Sequence, residues 1–270
     1  MMINPTISII TPTLNSEATI EECLNSVADQ TYRNIEHLII DGLSSDRTLG
    51  IIGNYQTYFN HIRVISEKDS GIYDAMNKGI DLATGEWIYF LGGDDVLLNV
   101  NTLSNVFVPD NYLKYDIIYG NVISTRFNGR YDYSFDRNKI LDKNICHQAI
   151  FFNKDIFSKI GYFNLNYKSQ ADWDHNMRWI LNGDIKKKYI KEDIAVYADG
   201  GFSSLTPDLI FEEDKLYNYL KYGLSSFTFN KSKKLLTQLF KKSIYQRDLK
   251  KFFNLLSLGI KLLIQELRLK

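Results

Sequence analysis

The chain has 270 residues, enough to bury a sizeable core, and its length favours one large domain with an appendage over two equal domains. Its 44% hydrophobic and 24% charged residues are ordinary for a globular protein, and two cysteines, Cys23 and Cys146, exclude a disulfide framework and favour a reducing compartment. The net charge of zero hides an asymmetry: residues 231–270 carry 11 basic and 2 acidic side chains, leaving 21 basic and 30 acidic in the rest, so an acidic body is joined to a basic tail.

Thr6–Pro12 is rich in β-branched residues and ends at a proline, which predicts a first strand. Asn15 and Ser16 offer N-caps to a helix running through Leu24–Ala28. Ile35–Ile40 is a second apolar strand, closed by Asp41-Gly42. Asp46-Arg47-Thr48 opens a helix expected to reach Phe59, and Ile62–Ser66 is a third strand. Ile72–Ala83 reads as a helix with Ala75, Gly79 and Ala83 on one close-packing face, ended by Gly85, and Trp87–Leu91 is a fourth strand. Leu98–Val106 looks helical, Asp116–Tyr133 reads as strands with a hairpin turn at Asn128-Gly129, and Ala149–Phe152 is again an apolar strand. Asp155–Gly161 and Asp172–Asn182 are helices, the second stopped by Gly183, and Lys187–Val196 is a strand. From Pro207 the pattern is helical, with breaks near Gly223 and Asn230. Strands alternating with helices predict an α/β fold with a parallel, Rossmann-like sheet, in which ligands bind at the carboxyl ends of strands. That rule gathers Thr11, Thr13, Asp41, Glu67, Asp94 and Asp95 along one edge.

The run Ile88-Tyr-Phe-Leu-Gly-Gly-Asp94-Asp95 carries the sharpest signal. Two adjacent carboxylates at the end of a buried strand repel each other and lose solvation, and a hard divalent ion shared with a diphosphate would offset that cost. Asp41-Gly-Leu-Ser-Ser-Asp46 reads either as a turn with a helix cap or as a strand-end carboxylate accepting from a base or ribose. Ser70-Gly71 starts a helix whose N–H groups suit a phosphate, and Asp74, Asn77 and Lys78 share one face of it.

Four ordered motifs carry a resemblance. Ile7-Ser-Ile-Ile-Thr-Pro-Thr-Leu-Asn15, Asp41-Gly-x-Ser-x-Asp-x-Thr48, Ser70-Gly-x-Tyr-Asp-Ala-x-Asn-Lys-Gly79 and Gly85-Glu-x-Ile-x-Phe-Leu-x-x-Asp-Asp95 together resemble a family 2 glycosyltransferase, of the bacterial surface-polysaccharide type. The similarity is dense over roughly the first hundred residues and thinner to Ser204. It implies the GT-A fold, with a catalytic domain over 1–205, a nucleotide-sugar half at 1–100 and an acceptor half at 101–205, followed by a basic helical region at 206–270. It implies that Thr11, Thr13, Asn15, Asp41, Ser70, Lys78 and Asp94 bind the donor and that Asp95 holds Mn²⁺ or Mg²⁺. Gly93 stands where the family's motif has its first acid. Asp172 is the base expected to deprotonate the acceptor, with Asp174 as the alternate; Ala171 stands where many relatives have Glu. His147 and Gln148 are expected on the acceptor side, and Gly200, Gly201 and Ser203 in a loop closing over the diphosphate.

The implied activity is inverting transfer of a sugar from a UDP-sugar to a hydroxyl of a polyprenyl-diphosphate-linked glycan in O-antigen, capsule or exopolysaccharide synthesis. The alternatives are a sugar nucleotidyltransferase, whose Gly-rich phosphate loop is absent from this chain at Thr11-Pro-Thr-Leu-Asn15, and an inactive nucleotide-sugar-binding protein. The tail sets Leu235-Leu236, Leu239-Phe240, Phe252-Phe253 and Leu262-Leu263-Ile264 among lysines, which suits either an amphipathic helix on an anionic membrane or one packed on the body. No recognition motif for nucleic acid accompanies the charge. Neither a signal peptide nor a run of 18 apolar residues is read, so a cytoplasmic protein, peripheral on the inner face of the membrane, is expected.

Overall fold

The computed structural model describes residues 5–108, 112–124, 129–131, 133–198 and 207–268. Its sequence folds as the alternation dictates. Strands β1 (Ile7–Thr13), β2 (Ile35–Asp41), β3 (Ile62–Ser66) and β4 (Trp87–Phe90) pair in parallel in the order β3-β2-β1-β4, linked by helices α1 (Ile20–Ala28), α2 (Thr48–Gln56) and α3 (Ile72–Leu82). β1 is buried along its whole length, as expected for a strand covered on both faces. Helix α3 lies directly on it: a Cβ at Gly79 would meet Ile10 Cγ2 at 2.4 Å, so only glycine permits this approach.

The second half turns the sheet mixed. Strands β5 (Val96–Leu97), β6 (Ile117–Ser124), β7 (Gly129–Tyr131), β8 (Ile150–Asn153) and β9 (Lys187–Val196) extend it in the order β4-β8-β6-β9-β5, with β7 on the side of β6. β8 is antiparallel to both β4 and β6, and β6 runs parallel to β9. The expected hairpin is present, since Ser124 pairs with Gly129 across β6 and β7. Asn128, the first residue of the expected turn, lies outside the described residues, as do Gly200, Gly201 and Ser203.

Short helices α4 (Thr102–Phe107), α5 (Lys139–Asp142) and α6 (Ile156–Ile160) fill connections, and α7 (Ala171–Leu181) packs beside the second half. The C-terminal helices are α8 (Leu209–Gly223), α9 (Phe229–Tyr245) and α10 (Leu249–Arg268). α8 is part of the body, because Phe211 and Tyr219 join the main core. Beyond it, Leu220, Leu239, Leu255 and Leu258 form a small separate core between α8, α9 and α10. No helix among the described residues is long and apolar enough to cross a membrane.

Candidate active site

The parallel register fixes one rim. Thr13 pairs with Asp41, and Asp41 with Ser66, so β1, β2 and β3 end side by side. β4 ends next to β1, and the loop after it folds back on that neighbour: a Cβ at Gly93 would stand 2.9 Å from Thr13 Oγ1. This close approach accounts for glycine where the family motif carries its first acid. Asp41 and Asp95 therefore share one sheet edge.

On that rim Asp41 is fully buried and already engaged. Ser44 N–H (3.0 Å) and Ser66 Oγ (2.6 Å) donate to its Oδ2, and Ser44 Oγ donates to its Oδ1. Three donors leave one acceptor site on the carboxylate for a ligand. Asn15 adopts a left-handed backbone with φ 51°, accepts from Ser45 N–H at 2.8 Å, and its own N–H reaches Ser44 Oγ. It thus staples the first loop to the second rather than capping α1, which starts later, at Ile20. Thr13 Oγ1 bonds Ser16 Oγ at 2.8 Å, while Thr11 turns inward to His37 Nε2 at 2.9 Å. Leu43 also has positive φ, 65°, and is exposed beside Asp41. A leucine held there is strained, and a single sequence gives no signal of it. Ser70 N–H is taken by Asp74 Oδ2 at 2.8 Å, and Lys78 pairs with Glu67 at 2.8 Å and donates to the Lys68 carbonyl at 2.7 Å. The Glu67 partner raises the Lys78 pKa, so it is cationic at neutral pH.

Asp95 is 2% exposed. Burial, and after it the neighbouring Asp94 carboxylate, pushes its carboxyl up to about 6, against the pull of its hydrogen bonds from Ala198 and Gln148. Ala198 N–H donates to Oδ1 at 2.9 Å and Gln148 Nε2 to Oδ2 at 2.6 Å. Among the described residues no group of three His, Cys, Asp or Glu gathers to hold a metal ion. The donor set fits a hard ion shared with a ligand instead: a buried carboxylate beside a second acid, next to Gln148 Oε1, which is buried without a partner.

Gln148 leads directly to the second half of the site. Residues His147–Ala149 form a 3₁₀ turn before β8, and the His147 side faces Asp172, with Nδ1 3.6 Å from Asp172 Oδ2. His147 and Gln148 line a cleft of about 260 Å³ with Asn144, Asp172, Trp173 and Tyr197. Asp172 sits in the first turn of α7. Its Oδ1 accepts from Tyr73 O–H at 2.9 Å and Trp173 N–H at 2.8 Å; its Oδ2 accepts from Asn144 Nδ2 at 3.0 Å. Burial, and then the Asp172 carboxylate, raises the Tyr73 phenol well above its ordinary value, so it stays a donor. Tyr73 and Asn144 lay unassigned in the sequence; Tyr73 stands inside the third motif, but nothing along the chain joins it to Asp172, 99 residues on.

Asp174 does not line that cleft. It is fully buried, paired with Arg178, and accepts from Asn218 Nδ2 and Tyr222 O–H at 3.0 Å each. Its oxygens tie α7 to α8.

The sequence pattern of Glycosyl transferase family 2 matches residues 8–177, spanning both halves of this site. The chain belongs to glycosyl transferase family 2. The "PGL/p-HBAD biosynthesis glycosyltransferase" of Mycobacterium tuberculosis is 41% identical to this transferase over 215 residues, 78% of this chain and 84% of its own. "Glycosyltransferase AglE" of Haloferax volcanii is 31% identical over 178 residues, 59% of this chain and 56% of its own. Among solved structures, S. aureus TarS 1-349 in complex with UDP-GlcNAc superposes with a TM-score of 0.70 at 20% identity, covering 93% of this chain and 79% of that one. The mannosyltransferase PcManGT from Pyrobaculum calidifontis, in complex with GDP-Man and Mn²⁺, gives 0.60 at 16% identity, covering 97% and 88%. These likenesses establish the GT-A fold for the transferase.

Proposed function

We propose that this glycosyltransferase moves a monosaccharide from a UDP-sugar to a hydroxyl of a lipid-linked glycan, with inversion, and that Asp172 is its base. One observation carries the reading: His147 and Gln148, adjacent in sequence, reach Asp172 at 3.6 Å and Asp95 at 2.6 Å, so the acid-lined rim and the cleft form one continuous site. Asp172 Oδ1 is occupied by two donors, which leaves a lone pair of Oδ2 facing the cleft. An acceptor hydroxyl there gives its proton to Oδ2 as its oxygen attacks the anomeric carbon opposite the departing nucleotide. Tyr73 and Asn144 hold the carboxylate in that orientation. Trp173 and Tyr197 line the same cleft. Asp95, with Asp94 and Gln148 Oε1, is where Mn²⁺ or Mg²⁺ would sit, and such an ion neutralises charge on the leaving diphosphate. Asp41, with Thr13 and Asn15 around it, forms the base and ribose end.

The donor proposal is supported by relatives of this fold named with UDP-GlcNAc and GDP-Man. The curated relatives are named for PGL/p-HBAD biosynthesis, so an O-antigen, capsule or exopolysaccharide acceptor is proposed on the motif resemblance alone. Work at the inner membrane face follows from a lipid-linked acceptor. Incubation with Mn²⁺ and a panel of nucleotide sugars, with slow nucleotide release measured, tests the donor. Release of UDP from one UDP-sugar supports the reading, and pyrophosphate release, or none from any donor, contradicts it.

A further inference from the structure

The α9–α10 hairpin sorts its apolar residues into two faces. Leu239, Leu255, Leu258 and Leu262 point inward, and Phe240 stacks edge-on against Phe252 along the seam. The other set is left in water. Leu249, Phe253, Leu256, Ile260, Leu263 and Leu267 recur at spacings of four and three and are 41–73% exposed. That spacing places all six on one stripe about five turns long. Near the hairpin turn Ile244 and Tyr245 are exposed as well. A continuous apolar stripe of this length is not ordinary surface.

One border of the stripe is basic. Lys250 and Lys261 follow one edge of the stripe by the helical period, and both are exposed. On α9, Asn230, Lys233, Lys234, Thr237, Gln238 and Lys241 line a shallow groove, so three lysines share that face. Glu266 is the one acidic residue within α10. A second copy laid along the same stripe would bring lysines against lysines with one acid per chain to answer them. An anionic surface meets both the apolar stripe and its basic margin.

We infer that the α9–α10 hairpin is a membrane dock, with the Leu249–Leu267 stripe buried among the acyl chains of an anionic bilayer and the lysines at the headgroups. The inference deepens the lipid-linked acceptor reading, on which its purpose rests. The dock holds the enzyme where such an acceptor is found.

Sedimentation of the full chain with vesicles of phosphatidylcholine containing roughly one third phosphatidylglycerol tests it. The chain pellets with these vesicles, not with phosphatidylcholine alone, and high salt releases it. The F253S/I260S/L263S variant binds at least about tenfold more weakly, and K250Q/K261Q about thirtyfold more weakly. Both keep the wild-type rate of donor hydrolysis without vesicles. No pelleting of the wild type, binding indifferent to phosphatidylglycerol, undiminished binding by the triple variant, or a wild-type dimer that this variant splits would each overturn the dock. Vesicle binding without any donor hydrolysis would instead overturn the transfer reading and leave the dock standing.

Discussion

Asp172 and Asp174 stand two positions apart on one helix, which turns their side chains to opposite sides. The residue spacing left both open as the base; their surroundings separate them. Asp172 opens to the cleft with one oxygen half free, whereas Asp174 is saturated by Arg178, Asn218 and Tyr222. Two substitutions should behave oppositely. Y73F removes one donor from Asp172, the proposed base, and kcat should fall about tenfold with the donor KM little changed. D174N leaves Arg178 buried without its partner, and stability should fall by about 3–5 kcal/mol while donor hydrolysis persists below the lowered melting point. Steady-state kinetics and thermal melts check the pair. The motifs made the acids legible because each lies at a strand end or helix start. Gln148 was expected on the acceptor side alone, and its bond to Asp95 was not legible because it spans 53 positions.

At the level of elements, local pattern was most reliable where burial was greatest. The first four strands and their helices lie within a few residues of expectation, since apolar runs and turn residues agree there. The two-residue strand Val96–Leu97 was invisible, because it is held by pairing with Ala195 and Val196 on distant β9 and by Ser26 of α1. That pairing draws the chain out and delays the next helix to Thr102. The short α5 was missed for the same lack of periodicity. The small-residue face of α3 was legible, and its sharpest test is Gly79. G79A drives a methyl into Ile10, and denaturant unfolding should show a loss of about 1–3 kcal/mol without a change of fold.

Across the whole molecule, two histidines store a pH response. Burial pushes His37 and His175 down to about 3, so both are neutral in the folded core. The unfolded chain titrates near the ordinary value of about 6.5 and binds more protons between the two. Their stabilising contribution is complete above about pH 6.5 and is lost as pH falls toward 3. Melting temperature should fall between pH 7 and 5, with a shallower slope in H37Q. The proposed transferase site divides its labour between the Asp95 rim and the Asp172 cleft. Calorimetric titration of a UDP-sugar with Mn²⁺ present, paired with turnover on the same samples, tests it most directly. D172N should bind the donor as the wild type does and lose about 10²–10⁴ in rate, whereas D95N should lose both binding and turnover. Full turnover in either variant would rule out that division of roles.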